Sequence, residues 1–141
     1  MSKDVAVFFY GLFMDESVLA SRGISPSRMT MAYLDDFGLR IGKRATLIPE
    51  QNSRAYGVVM TLCATELKEL YSDSSVADYV AESVSVRLAD DKLEQAVCYN
   101  LPESKLEGSN PEYASSLLKL AVKLGLPSAY IGQIKLQGGG S

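Results

Sequence analysis

Through its first hundred residues the chain is written in short runs of β-branched, aromatic and aliphatic residues, each ended within a few positions by Gly, Pro, Asn or Asp. Runs of that length and composition predict strands. Residues 5–10 form the first and stop at Gly11. Residues 29–39, 44–48 and 54–62 form three more, with Gly38, Gly42, Pro49 and Asn52-Ser53 as punctuation. Residues 79–88 and 93–99 flank Asp90-Asp91 and predict a hairpin. Several runs are continuously apolar, the pattern of strands buried on both faces. Such a sheet must close on itself or be covered.

The covering elements are written between and after the strands. Asp15-Glu16-Ser17 opens a short helix through Ala20, and Thr65 caps another whose Leu67 and Leu70 form an apolar stripe with Leu62. The clearest helix starts at Asn110, with Pro111 and Glu112 in its first turn, and stops at Gly125 after Leu117, Leu118, Ala121, Val122 and Leu124. Pro127 starts a last one through about residue 135. About six strands with these helices predict an α+β fold, a compact mixed β-barrel flanked by helices. At 141 residues the chain is one domain, taken as 1–137, with 138–141 (Gly-Gly-Gly-Ser) as a flexible tail.

The residue inventory restricts the chemistry. A net charge of −3, with 22% charged residues, lacks the basic excess of a nucleic-acid binder. No apolar stretch reaches membrane-spanning length, and the Met-Ser-Lys-Asp-Val start is not that of a secretory signal, so neither membrane nor nucleic acid is an expected partner and a cytoplasmic location is expected. Cys63 and Cys98 sit in apolar runs and are expected to be buried free thiols. There is no histidine. Ser-His and Cys-His nucleophile systems are therefore excluded, leaving carboxylates, Tyr, Lys and backbone amides. No metal or cofactor is expected.

Four segments, in order, carry a family resemblance: VAVFFYGLFM at 5–14, ATLIP at 45–49 with AYGVVM at 55–60, ELKEL at 66–70, and PEY at 111–113 with GLP at 125–127 and Tyr130-Ile131. Together they resemble the γ-glutamylcyclotransferase-like (AIG2-like) family over nearly the whole chain. The resemblance implies a reaction in which the α-amine of a γ-glutamyl compound attacks its own γ-carbonyl, releasing an amine or amino acid and 5-oxoproline. Because the nucleophile is tethered, substrate geometry supplies much of the rate advantage. The resemblance also implies that Tyr10, Gly11, Leu12 and Phe13 form a binding loop whose main-chain amides receive an anion, although its third and fourth residues are apolar here. Tyr99, fourteen positions before Tyr113, falls on the strand tyrosine that lines the family's pocket.

One departure stands out. The family's base is the glutamate of a Leu-Asp-x-x-Glu-Gly pattern, whereas this chain reads Leu70-Tyr71-Ser72-Asp73-Ser74-Ser75, placing Ser74 at the glutamate position. A serine without a partner base does not accept a proton near neutral pH. Strand alternation puts Glu82 on the same face as Val80, Val84 and Val86, so Glu82 is the expected relocated base, raised in pKa by burial. Asp73 and Asp78 lie in a polar loop and are weaker candidates.

Two functions follow: a cyclotransferase with a relocated base and no cofactor, or a non-catalytic domain that binds a small acidic metabolite. A homodimer is compatible with either. A carboxylate pointing into the cavity distinguishes the enzyme from the binder.

Overall fold

The computed structural model describes residues 4–72, 78–102, 105, 108 and 110–138. Among the described residues it is an α+β fold of five strands and four α-helices. β1 (Asp4–Phe9) leads through a 3-10 turn at Leu12–Met14 into α1 (Glu16–Ala20). β2 (Arg28–Ile41) and β3 (Ala45–Cys63) form a long hairpin, followed by α2 (Ala64–Leu70). β4 (Val80–Leu88) and β5 (Leu93–Asn100) form a second hairpin, and α3 (Pro111–Leu124) and α4 (Ser128–Gly138) complete the chain. Residues 139–141 of the expected tail lie outside the described residues. Among the described residues no helix is long and apolar enough to cross a membrane.

The strand order is β1-β3-β2-β4-β5, and a parallel contact between Val7 of β1 and Val97 of β5 closes the sheet into a barrel. All other pairings are antiparallel. The five-strand count corrects the expected six. The runs at 44–48 and 54–62 belong to one strand, because residues 50–53 bulge opposite Asp36 while pairing resumes on both sides. Asp36 and Asn52 take positive φ values of 64° and 67°, and the Asn52 amide donates to Asp36 Oδ1 at 3.1 Å. The bulge absorbs the polar residues without ending the strand.

Helix boundaries follow their caps. Asp15 accepts from the Ser17 amide at 2.9 Å to start α1, and Asn110 accepts from the Tyr113 amide at 3.0 Å to start α3. Gly125, at φ 77°, ends α3 in the left-handed region. α2 differs from expectation: it begins at Ala64 after Cys63, with no side-chain cap, rather than at Thr65.

The core fills the barrel and the space beneath the helices, where Val7, Phe8, Met60, Leu117, Tyr130 and Ile134 are buried. One more tie positions the site. The Thr46 hydroxyl donates to the Leu101 carbonyl at 3.0 Å and accepts from the Leu101 amide at 2.8 Å, while the Leu47 amide donates to Asn100 Oδ1 at 3.3 Å. These bonds fold the tip of the β2–β3 hairpin, with Arg44 and Ala45, against the end of β5.

Candidate functional site

β1 delivers Phe9 and Tyr10, both buried, to the turn at Gly11. The Tyr10 hydroxyl donates to the Tyr99 carbonyl at 2.7 Å, fastening the turn to β5. The turn then winds into a 3-10 helix with Gly11 at its amino end and no side-chain cap. Amides at such an end have no partner within the helix and are available to an anion.

α3 places a phenol against that turn. A Cβ on Gly11 would lie 2.5 Å from the Tyr113 hydroxyl, so only glycine allows this approach. Burial pushes the Tyr113 phenol up to about 12, with a backbone hydrogen bond from Leu12 offsetting part of the rise. Tyr113 therefore stands directly against the turn of the expected cradle.

Aromatic rings build the wall opposite. Phe9 meets Phe13 edge-on at 5.8 Å, Phe13 meets Tyr71 at 5.9 Å, and Tyr71 stacks on Tyr99 at 3.8 Å with 8° between the planes. Tyr79 donates its hydroxyl to the Ala45 carbonyl and closes the side next to the hairpin tip. The cavity between them has a volume of about 330 Å³. Five of the eight tyrosines in the chain line it. Burial raises the pKa values of Tyr10, Tyr71 and Tyr79 as well as that of Tyr113, so these phenols are neutral hydrogen-bonding groups near pH 7.

Two cations complete the lining. Arg22, from the turn after α1, has its guanidinium carbon 5.7 Å from the Phe13 ring centre, and Arg44 lies 5.9 Å from that of Tyr79. Arg44 also contacts Asp78 at 3.4 Å. Among the described residues no carboxylate lines the cavity, and no group of three or more His, Cys, Asp or Glu is placed to hold a metal ion.

The structure brings Tyr10, Gly11, Leu12, Phe13 and Tyr99 together on this one cavity. Ser74 and Asp73 lie outside the described residues. Glu82 is a correction. It keeps the register that alternation gives it, directly opposite the buried Cys98, but it is solvent-exposed and does not line the cavity. The reason lies in its neighbours: residues 80–83 pair with β5 alone, since β4 meets β2 only at Leu88 and Arg87, and this end of β4 is open to solvent on both faces. Asp78 is also exposed, and contacts Arg44 and, at 4.0 Å, Lys105. Cys98 is buried and its thiol is pushed up to about 12 by burial, whereas Cys63, at the end of β3, is only half-buried, correcting the expectation that both are enclosed.

Sequence reasoning missed Tyr71, Tyr79, Tyr113, Arg22 and Arg44 as lining residues. The available signal was compositional: a chain without His or Trp carries eight tyrosines, two of which bracket the polar loop after α2.

The profile of the family described as gamma-glutamyl cyclotransferase, AIG2-like, matches residues 7–117. No curated protein matches by sequence. Among solved structures, a gamma-glutamyl cyclotransferase superposes with a TM-score of 0.78 at 22% identity, covering 94% of this chain and 87% of its own. The human uncharacterized protein loc79017 gives 0.77 at 22% identity, with 94% and 86% covered. A gamma-glutamyl cyclotransferase from yeast described as specific to glutathione gives 0.67 at 14%, with 99% and 96% covered. At these identities the structural likeness establishes the fold.

Proposed function

Since the chain belongs to the gamma-glutamyl cyclotransferase, AIG2-like family, we propose that its cavity takes a small γ-glutamyl compound and releases 5-oxoproline from it. The observation that carries this reading is the lining itself: a Tyr-Gly turn with main-chain amides, neutral phenols and two arginines around about 330 Å³. That volume is at the small end of ligand sites and suits a dipeptide-sized molecule.

The α-amine of the bound compound attacks its γ-carbonyl carbon, forming the ring C–N bond. The bond from that carbon to the leaving nitrogen then breaks, and a proton passes from the attacking nitrogen to the leaving one. Main-chain amides at Gly11–Phe13 and the phenols are suited to hold the glutamyl carboxylate or the developing oxyanion. Tyr99 positions the Tyr10 hydroxyl through its carbonyl and holds Tyr71 by stacking. Glu82 does not take the proton.

A second reading is favoured by one observation, the lack of a lining carboxylate among the described residues. In it the domain binds a small acidic metabolite without turning it over. A panel of γ-glutamyl amines and dipeptides, followed for both heat of binding and 5-oxoproline, separates the two. Release of 5-oxoproline that is lost in Gly11→Val supports the enzyme; binding without release supports the binder; neither binding nor release sinks both.

A further inference from the structure

We infer that Thr46, which does not itself line the cavity, is a positioning residue for it: with Asn100 it fixes the hairpin wall to the end of β5 and so sets the width across which a ligand is held. This inference rests on the cavity being the ligand site of the reading above.

Three consecutive residues at the end of β5 carry fastenings to both sides of the cavity. The Tyr99 carbonyl accepts from the Tyr10 hydroxyl at 2.7 Å and holds the Gly11 turn. Leu101 exchanges two bonds with the Thr46 hydroxyl, which donates to its carbonyl at 3.0 Å and accepts from its amide at 2.8 Å. Asn100, between them, accepts from the Leu47 amide through Oδ1 at 3.3 Å. The turn and the hairpin tip are thus both fastened to one short stretch of backbone. The cavity lies between them, with Tyr10 and Gly11 on one side and Ala45 on the other.

No ladder makes this connection. Among the described residues β3 pairs with β1 and β2, and β5 with β1 and β4, but β3 and β5 do not pair with each other. The Thr46 hydroxyl stands in for the missing ladder partner, since it both donates to and accepts from the main chain of one residue. The tip also carries a second wall residue with it. Tyr79 donates to the Ala45 carbonyl, so a tip that drifts moves that phenol as well.

Two features set this cluster apart from ordinary packing. Tyrosines aside, Thr46 and Asn100 are the buried side chains with a hydroxyl, an amide or a charge among the described residues, and they meet at this one place. Asn100 also leaves its Nδ2 buried without a partner. A half-satisfied buried amide costs stability that an apolar residue would not. Local rules are broken in this way chiefly where geometry serves function.

The test uses Thr46→Val, which keeps the shape and removes both bonds to Leu101, and Thr46→Ser, which keeps the hydroxyl. Both are made in the full chain and studied well below their melting temperatures, because either change in a packed interior lowers stability whatever its role. A misplacement of about 1 Å can cost a site roughly a hundredfold, so calorimetry with 5-oxoproline should give a Kd about tenfold weaker in Thr46→Val and within about twofold of wild type in Thr46→Ser. Where γ-glutamylalanine is turned over, kcat/KM should follow the same order. A wild-type Kd in folded Thr46→Val, or a loss that Thr46→Ser does not restore, overturns the positioning role and leaves the ligand reading standing. Should Thr46→Val fail to fold, Asn100→Ala, which severs the Leu47 bond alone, is expected to weaken Kd by about threefold, within the worth of one hydrogen bond, and an unchanged Kd overturns the role. If the wild type binds neither 5-oxoproline nor γ-glutamylalanine, the γ-glutamyl reading falls and the positioning role falls with it.

Discussion

β1 and the start of β4 are both strands with valines on an inward-facing period, and they end in opposite environments. β1 lies between β3 and β5, and Val7, Phe8, Phe9 and Tyr10 are all buried. At the start of β4, residues 80–83 have β5 on one side only, and all four are exposed. Val80 retains 53% of its surface against 0% for Val7. The contrast teaches that alternation fixes which face a residue is on, while the neighbouring strands decide whether that face is covered. It also locates the site: the enclosed strand carries the cavity turn, and the open one carries Glu82.

The largest effect should come from breaking the enclosed region at Gly57. A Cβ there would collide with the Phe9 carbonyl oxygen and crowd the Phe8 ring. Backbone cannot swing aside as a side-chain tip can. Gly57→Val is expected to cost at least ~3 kcal/mol in denaturant unfolding, and a loss below ~1 kcal/mol would mean that β1 is less tightly held than its burial implies.

Next is Gly11→Val, which sets a branched side chain against the Tyr113 hydroxyl and pushes the phenol off the turn. Calorimetry with 5-oxoproline should register no binding, with the melting temperature lowered by only about 3–5 °C, the shift for roughly 1 kcal/mol in a domain near this size. Undiminished binding would remove the turn from the site.

A smaller effect separates the regions by pH. The folded chain keeps the Tyr113 proton up to about 12, whereas an unfolded chain releases it near 10. The folded pKa is raised, so this contribution to stability is intact below about pH 10 and is lost as pH climbs toward about 12. Melting curves should fall across that interval, and less steeply in Tyr113→Phe. An equal slope in the two proteins would show that the phenol is not shielded.

The thiols offer a gentler probe. Cys98 is fully enclosed and holds its proton well above the usual thiol range, while Cys63 is half-buried. A thiol reagent on the native protein should therefore label Cys63 first and leave Cys98 unmodified until unfolding. Equal labelling rates would contradict the closed interior around Cys98.

The smallest effect belongs to the open strand. Glu82→Gln should change stability by less than ~0.5 kcal/mol and leave 5-oxoproline release as it is in the wild type. A loss of release on that substitution would restore a role for Glu82 that its exposure denies.

How much was legible depends on how local the signal was. Asn110, Pro111 and Gly125 bound α3 because a cap, a fixed φ and a left-handed stop each act within a few residues. Pro49 and Asn52-Ser53 misled the strand count because a bulge is recognisable only against its partner strand, here at Asp36. For the site, the Tyr-Gly turn and Tyr99 could be placed by likeness to a family. Arg22, Arg44 and Tyr113 could not, since their meeting depends on how α1, the hairpin tip and α3 pack around that turn.

The sequence by itself determined an α+β chain of apolar strands closed by capped helices, a chemistry without histidine, and a glycine turn after the first strand. Only the tertiary structure decided that Gly11 faces a phenol, that five tyrosines and two arginines share one cavity, and that Glu82 lies outside it. The physical reason is that period and propensity act along the chain, whereas burial and charge pairing depend on elements distant in sequence that meet only once the barrel has closed.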